Sequence, residues 1–149
     1  VVIYFSHKTR DSWGKSHYDA YFRSIYGAHR ACVTAHTASG FRFDENLSLD
    51  FLQGVQTVYL PHAAILTSAE IATLTEFVKA GGTLLVTGQT GTHDIAAQRS
   101  VLPEWEKLIG ARIKDVPADK DFHVHLPHQE GMPHTETPFL VYGPTTIYE

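Results

Sequence analysis

Val55-Gln56-Thr57-Val58-Tyr59-Leu60-Pro61 opens the stretch that decides the fold. It runs on through Thr67-Ser68-Ala69-Glu70 to Gly81-Gly82-Thr83-Leu84-Leu85-Val86-Thr87. The first segment is β-branched and apolar and is stopped by Pro61, as a buried strand would be. Thr67 and Glu70 have the spacing of a capping box, in which each side chain satisfies a free N–H at a helix start. Behind them Ile71, Leu74, Phe77 and Val78 recur at helical spacing and form one buried stripe. Gly81-Gly82 ends that helix, because a left-handed cap costs glycine little. Thr83 to Thr87 is a second buried strand. Strand, helix and strand at this separation predict a right-handed parallel crossover.

Working outward, the first half repeats the rhythm. Val1 to Phe5 reads as a strand buried on both faces. Ser16-His17-Tyr18-Asp19 opens a helix with Tyr18, Tyr21, Phe22 and Ile25 on one face, ending near Gly27. Ala31 to Ala35 is then expected to be a strand, and Leu47 to Gln53 a short helix before the central strand. The alternation predicts a doubly wound, three-layer α/β domain with a parallel, flavodoxin-like sheet. Toward the C-terminus Pro103 suits a first helical position. Leu102, Trp105, Leu108 and Ile109 give that helix an apolar face, and Gly110 closes it. Five of the seven prolines lie beyond residue 116, which argues against further long helices. His123-Val124-His125-Leu126 and Pro138 to Tyr142 alternate as strands do. Residues 1–149 are read as a single domain, with 115–149 as an antiparallel extension or tail.

Composition narrows the function classes. The 149 residues are 43% hydrophobic, with two Trp, seven Tyr and eight Phe, enough apolar content to exclude a disordered chain. At this length about 70% of the unfolded surface is buried on folding. Sixteen acidic residues against twelve basic ones give a charge of −4, and no Lys/Arg stripe suggests nucleic-acid binding. No apolar run approaches the ~20 residues of a membrane-spanning helix. The chain opens directly on Val1-Val2-Ile3 without a charged leader, so a piece of a longer protein is expected. Cys32 is the sole cysteine. That excludes an internal disulfide framework and fits a reducing compartment such as the cytoplasm.

Ligands of open parallel sheets bind outside the carboxyl ends of the strands. His7 follows the first strand, His62 the central one, and His93 and Asp94 the next. Together they are a candidate acid–base or ligand-binding rim. The competing reading is polar loop residues bonded to nearby backbone. Gly88-Gln89-Thr90-Gly91-Thr92 has neither the G-x-G-x-x-G spacing nor a G-K-[ST] ending, so it reads as a turn. The elbow after the central strand is Leu60-Pro61-His62-Ala63-Ala64, with no Ser or Cys, which argues against nucleophilic hydrolysis there. His123, His125, His128 and His134 are dense enough to suggest a metal shell. Pro127, Gly131 and Pro133 make that stretch a loop, and no recognised ligand spacing is completed, so no metal is assigned.

Several of these pieces, taken in order, resemble one family. Val1 to Phe5 followed by Ser12-Trp13 is similar to the opening of the trimerisation domain of glycoside hydrolase family 42 β-galactosidases. Tyr59-Leu60-Pro61 through Leu66-Thr67 to Phe77-Val78-Lys79-Ala80-Gly81-Gly82 and Thr83 to Gly88 resembles its central signature. Gln89 to Asp94 and Leu108-Ile109-Gly110-Ala111-Arg112 are similar to the segments that follow, although the family often carries Arg where Gln89 stands. The likeness covers roughly residues 1–115. It implies a class I glutamine amidotransferase-like fold without an active site or cofactor of its own. It further implies a homotrimer in which the catalytic carboxylates sit on a separate TIM barrel of the same parent chain, a barrel too large for 149 residues.

Trp13, Tyr18, Tyr21 and Trp105 are the candidate interface anchors, since large aromatics carry much interface energy. Ordinary core packing is the alternative for each. Two further functions compete with oligomerisation: a sugar- or metabolite-binding or hydrolytic domain working through the His7, His62, His93 and Asp94 rim, and a free-standing adaptor.

Overall fold

The computed structural model describes residues 1–115, 122–124, 139–141 and 146–149. Strand β1 (Val2–Phe5) leads into a short helix α1 (His7–Asp11) and then the long helix α2 (Tyr18–Thr34). Strands β2 (Gly40–Phe43) and β3 (Thr57–Pro61) follow, then helix α3 (Ser68–Lys79) and strand β4 (Thr83–Thr87). The four strands form one parallel sheet in the order β2-β1-β3-β4, with Val2 opposite Gly40 and Val58, and Val58 opposite Leu84. The α/β architecture and its doubly wound parallel sheet agree with the reading above. Helix α4 (Pro103–Ile109) precedes β5 (Ile113–Asp115). The antiparallel extension consists of β5 paired with β8 (Ile147–Tyr148), and of β6 (Phe122–Val124) paired with β7 (Phe139–Val141).

Strand periodicity sorts the core into two layers. Tyr4, Val58 and Leu60 point to one side and pack with Ile71, Leu74, Phe77 and Trp105 of α3 and α4. Ile3 packs on the other side with Ala28 and Cys32 of α2, beside Tyr59. Tyr21 and Ile25 of α2 continue that layer with Trp13, Ala64 and Ile65. The capping box forms as expected: Glu70 N–H donates to Thr67 Oγ1 at 3.3 Å, and Thr67 N–H donates to Glu70 Oε2 at 2.8 Å.

Two elements of the first half differ from the sequence reading. Ala31 to Ala35 is not a strand; all but Ala35 belong to α2, whose buried positions Tyr21, Ile25, Ala28 and Cys32 keep helical spacing past Gly27. Gly27 sits on the exposed side with open space around it, where a mid-helix glycine costs about 1 kcal/mol without breaking the helix. The actual stop is a Schellman cap. His36 N–H donates to Val33 O at 3.1 Å and Thr37 N–H to Cys32 O at 2.9 Å, and His36 takes a φ of 51°. The same cap closes α3 with Gly81 at φ 96°, the position that glycine makes legible. The next strand is Gly40–Phe43, and Leu47 to Gln53 contains only a 3₁₀ turn at Asp50–Leu52. No α-helix therefore separates β2 from β3.

Candidate functional site

The carboxyl ends of β1, β3 and β4 meet where the chain reverses its winding, on either side of β1 and β3. Pro61 closes β3, and His62 makes the turn that follows, with φ 56° and its N–H bonded to Thr87 O at 3.1 Å. Ala64 N–H donates back to His62 O at 2.8 Å, which tightens the turn. A positive φ at a residue with a Cβ costs about 1–3 kcal/mol and persists only where surroundings enforce it. Here they do. The loop 88–93 is zipped onto the elbow: Gly91 N–H donates to Ala63 O, and Thr92 and His93 N–H to Ala64 O, each at 3.0 Å. Thr90 Oγ1 accepts from Ala63 N–H at 3.1 Å, and Trp105 Nε1 donates to Thr90 O at 3.2 Å. The amides at 91–93 are thus spent inside the fold, in keeping with a turn rather than a phosphate cradle.

His62 is buried, and its Nε2 is shielded from solvent with no hydrogen-bond partner. Its ring lies against Trp13 at a centroid distance of 4.3 Å, and His17 stacks on Trp13 at 4.3 Å. His93 approaches Trp13 at 6.2 Å. Three imidazoles therefore surround one indole. Gly88, at φ 63°, lies so close that a Cβ there would come within 2.6 Å of His62 Nδ1. Burial, reinforced by His93 and His17, pushes the His62 pKa down to about 3, so the ring is neutral at pH 7. Burial also lowers His93, whose Nδ1 lies 2.8 Å from Thr92 Oγ1.

His7 belongs to a different network. Its Nδ1 lies 3.0 Å from Asp44 Oδ1 and 3.4 Å from Glu45 Oε1, and its ring stacks on Phe43. Lys8 Nζ bridges the buried carboxylates Asp44 and Glu70, 2.9 Å from each, and the Tyr4 hydroxyl donates to Glu70. Burial by itself would lower Lys8, but the hydrogen bonds to Asp44 and Glu70 outweigh it and hold the ammonium above its ordinary range. Burial likewise opposes ionisation of Asp44, yet the backbone and side-chain bonds from Lys8 keep its carboxyl below the usual range. Burial and then the Glu70 charge push the Tyr4 phenol up. His7, Asp44 and Glu45 place donor atoms within 4.8 Å of one another, a spacing compatible with a metal ion. Asp44 already pairs with the Lys8 ammonium, which it shares with Glu70, so the group is also an ion-pair network.

The predicted rim is therefore divided. His62 and His93 meet around Trp13, whereas His7 anchors the Asp44–Lys8–Glu70 chain on the β1 side. Asp94 accepts N–H bonds from Ala96 and Gln98, both at 2.9 Å, and so caps its own turn. A cleft of about 290 Å³ lies between these parts, lined by Lys8, His93, Asp94 and Ser100 over an apolar floor of Ile65, Ile71 and Leu102. His17 and Asp44 were missed in the sequence; for His17 the one signal is its spacing of four from Trp13. Among the interface candidates, Trp13, Tyr21 and Trp105 are buried in the chain's own core, while Tyr18 is 58% exposed. His123, His125, His128 and His134 gave the metal-shell suggestion. Only the backbone of His123 lies within the described residues.

No family model matches the chain, and no curated protein matches it in sequence. Solved structures do share its fold. One is a β-galactosidase from Bifidobacterium adolescentis, with a TM-score of 0.59 and 23% identity over 73% of this chain and 52% of that one. Another is Gan42B, a GH42 β-galactosidase, with a TM-score of 0.63 and 15% identity over 87% of this chain and 18% of that one. At these identities the likeness establishes the shared α/β fold. The chain spans about half of the first structure's length and under a fifth of the second's. No helix among the described residues is long and apolar enough to cross a membrane.

Proposed function

We propose that the chain is a non-catalytic assembly domain of a β-galactosidase-like glycoside hydrolase. In this reading it holds copies of the parent chain together as a trimer, while a TIM barrel elsewhere in the parent chain carries the catalytic carboxylates. The observation that carries the reading is the match over 87% of this chain to a GH42 β-galactosidase of which it takes up only 18%. The site chemistry supports it: the β3 elbow holds a buried neutral imidazole and no nucleophile. Light scattering over a concentration series tests the role. A mass near three times 16.6 kDa, with no hydrolysis of a nitrophenyl galactoside, is the expected result. A chain monomeric at all concentrations would overturn the assembly role.

The cleft between Lys8 and His93 favours a second reading, small-molecule binding at the strand ends. Galactose binding measured by calorimetry, lost on replacing His62 and His93 together by Ala, would support it. An equal heat signal from the wild type and the doubly substituted chain would sink it.

A further inference from the structure

The flank of α2 that leans over β2 carries a second apolar stripe besides the buried one. Tyr18, Phe22, Tyr26 and Val33 follow one another at helical spacing just beside the core positions Tyr21, Ile25 and Cys32. Phe41 and Phe43 of β2 extend the stripe onto the sheet, because β2 is an edge strand and residues two apart share a face. Ring contacts join the Tyr18 end of the stripe to β2. Tyr18 packs on Phe22 at 4.4 Å, Phe22 on Phe5 at 6.1 Å, and Phe5 on Phe43 at 5.7 Å. His29 meets Phe41 at 5.9 Å.

Strands of a parallel sheet are ordinarily covered on both faces. Here Tyr18 is 58%, Tyr26 66%, Val33 57%, Phe41 38% and Phe43 40% exposed. Taking ~200 Å² for a whole aromatic side chain, those fractions leave about 500 Å² of mostly apolar surface open to water. A stable interface buries about 800 Å² per partner, of which roughly 60% is apolar, so the stripe alone supplies the apolar share of one complete side. The rim carries both signs, with Asp19 near one end and Arg23 and Arg30 further along, all exposed. A mixed rim suits a protein face better than a polyanion or an anionic membrane, and in a ring of three the face it meets is a different patch of the next copy.

We infer that this α2–β2 flank is where a second copy of the chain sits, with Tyr26 and Val33 as its central contacts; the inference rests on the assembly role proposed above. The test compares the wild type with the double substitution Tyr26→Glu and Val33→Glu by light scattering from ~1 to ~200 μM, with Ala72→Glu on the exposed face of α3 as control. Both stripe residues are well exposed, so circular dichroism and the melting temperature should stay as in the wild type. The expected result is an assembled wild type and control. The double variant should need about a hundredfold higher concentration to reach half assembly, as loss of central hot-spot residues would cause. Tyr26→Ala with Val33→Ala gives the same reading should the added charges disturb the helix. An assembled double variant overturns the assignment of this face and leaves the assembly role standing. A monomeric wild type overturns the assembly role itself, and with it this inference; occupancy by a membrane or by an unrelated protein corresponds to that result.

Discussion

Acid should unlatch this fold well above the carboxylate range, and His62 should be the main reason. Its pKa is pushed down to about 3 by burial, then by His93 and His17 across the Trp13 ring, while the unfolded chain titrates near the ordinary 6.5. Because the folded value is the lower one, the unfolded state takes up the proton first. The stability due to the neutral ring is complete above pH 6.5 and is lost as pH falls toward 3. Each pH unit inside that window costs about 1.4 kcal/mol, so moving from about pH 7.5 to 4.5 removes about 2.7 kcal/mol through this one group. Asp11, Asp44 and Glu104, whose pKa values are also held down, contribute with the same sign, but only at and below the ordinary carboxylate pKa near 4. The assay is urea unfolding followed by tryptophan fluorescence at intervals of one pH unit, since Trp13 and Trp105 are both buried. His62→Asn is the matched variant, because asparagine tolerates a positive φ and does not titrate in this range. The wild type should lose stability steeply across the window. The variant should keep only the smaller slope from His93, whose pKa is lowered in the same direction. Equal slopes in the two proteins would refute the reasoning, because His62 would then be protonated in the fold at little cost.

Other expectations follow from neighbouring contacts. Gly88→Ala adds a Cβ at φ 63° within 2.6 Å of His62 Nδ1; left-handed strain and the clash add, so it should cost about 4 kcal/mol in chemical denaturation, more than left-handed strain alone accounts for. Lys8→Met leaves Asp44 and Glu70 as buried carboxylates without their shared cation, a loss of about 3 kcal/mol. Part of it should return on lowering the pH toward 4 as the unpaired Asp44 carboxyl becomes neutral, read as a rising urea midpoint relative to the wild type. Thr67→Ala removes half of the α3 capping box and should lower stability by about 1 kcal/mol, measured as a drop in melting temperature of several degrees.

What could be read from the sequence was local. The β3–α3–β4 unit announces itself because its strands are apolar runs, its capping box spans only Thr67 to Glu70, and its stop is a glycine at φ 96°; β4 is nevertheless not the buried strand expected, because it lies at the sheet edge and leaves Leu85 exposed. The sequence pattern ends helix α2 too early because Gly27 resembles a stop, whereas the true stop is His36, whose preference for a left-handed cap is far weaker than glycine's. Strand β2 was missed for a related reason: Gly-Phe-Arg-Phe is too short to show a period, and its phenylalanines face water. The strand-end site was half legible. That His62 and His93 lie near each other follows from topology, since His62 directly follows β3 and His93 lies in the loop that leaves the neighbouring β4. The splitting of His7 from them depends on Asp44, which lies 37 residues away in a turn that no pattern marks.

The carboxyl end of β3 lies where an open parallel sheet offers a crevice to ligands, and backbone strain of the kind often found at functional sites is present at His62. What occupies it has been turned inward. The ring is packed on Trp13, its Nε2 is sealed from solvent, and the amides of residues 91–93, which could otherwise hold an anion, are bonded to Ala63 and Ala64. Strain kept without exposed chemistry is most simply structural: the tight turn lets the loop 88–93 and α4 close over the sheet through Thr90 and Trp105. Among the large apolar side chains left facing outward are those of the α2–β2 flank, Tyr18, Tyr26 and Phe41. On the assembly role proposed above, His62 turned inward at the β3 elbow and the open α2–β2 flank fit together: the partner covers this flank, and the elbow serves only to brace the sheet behind it.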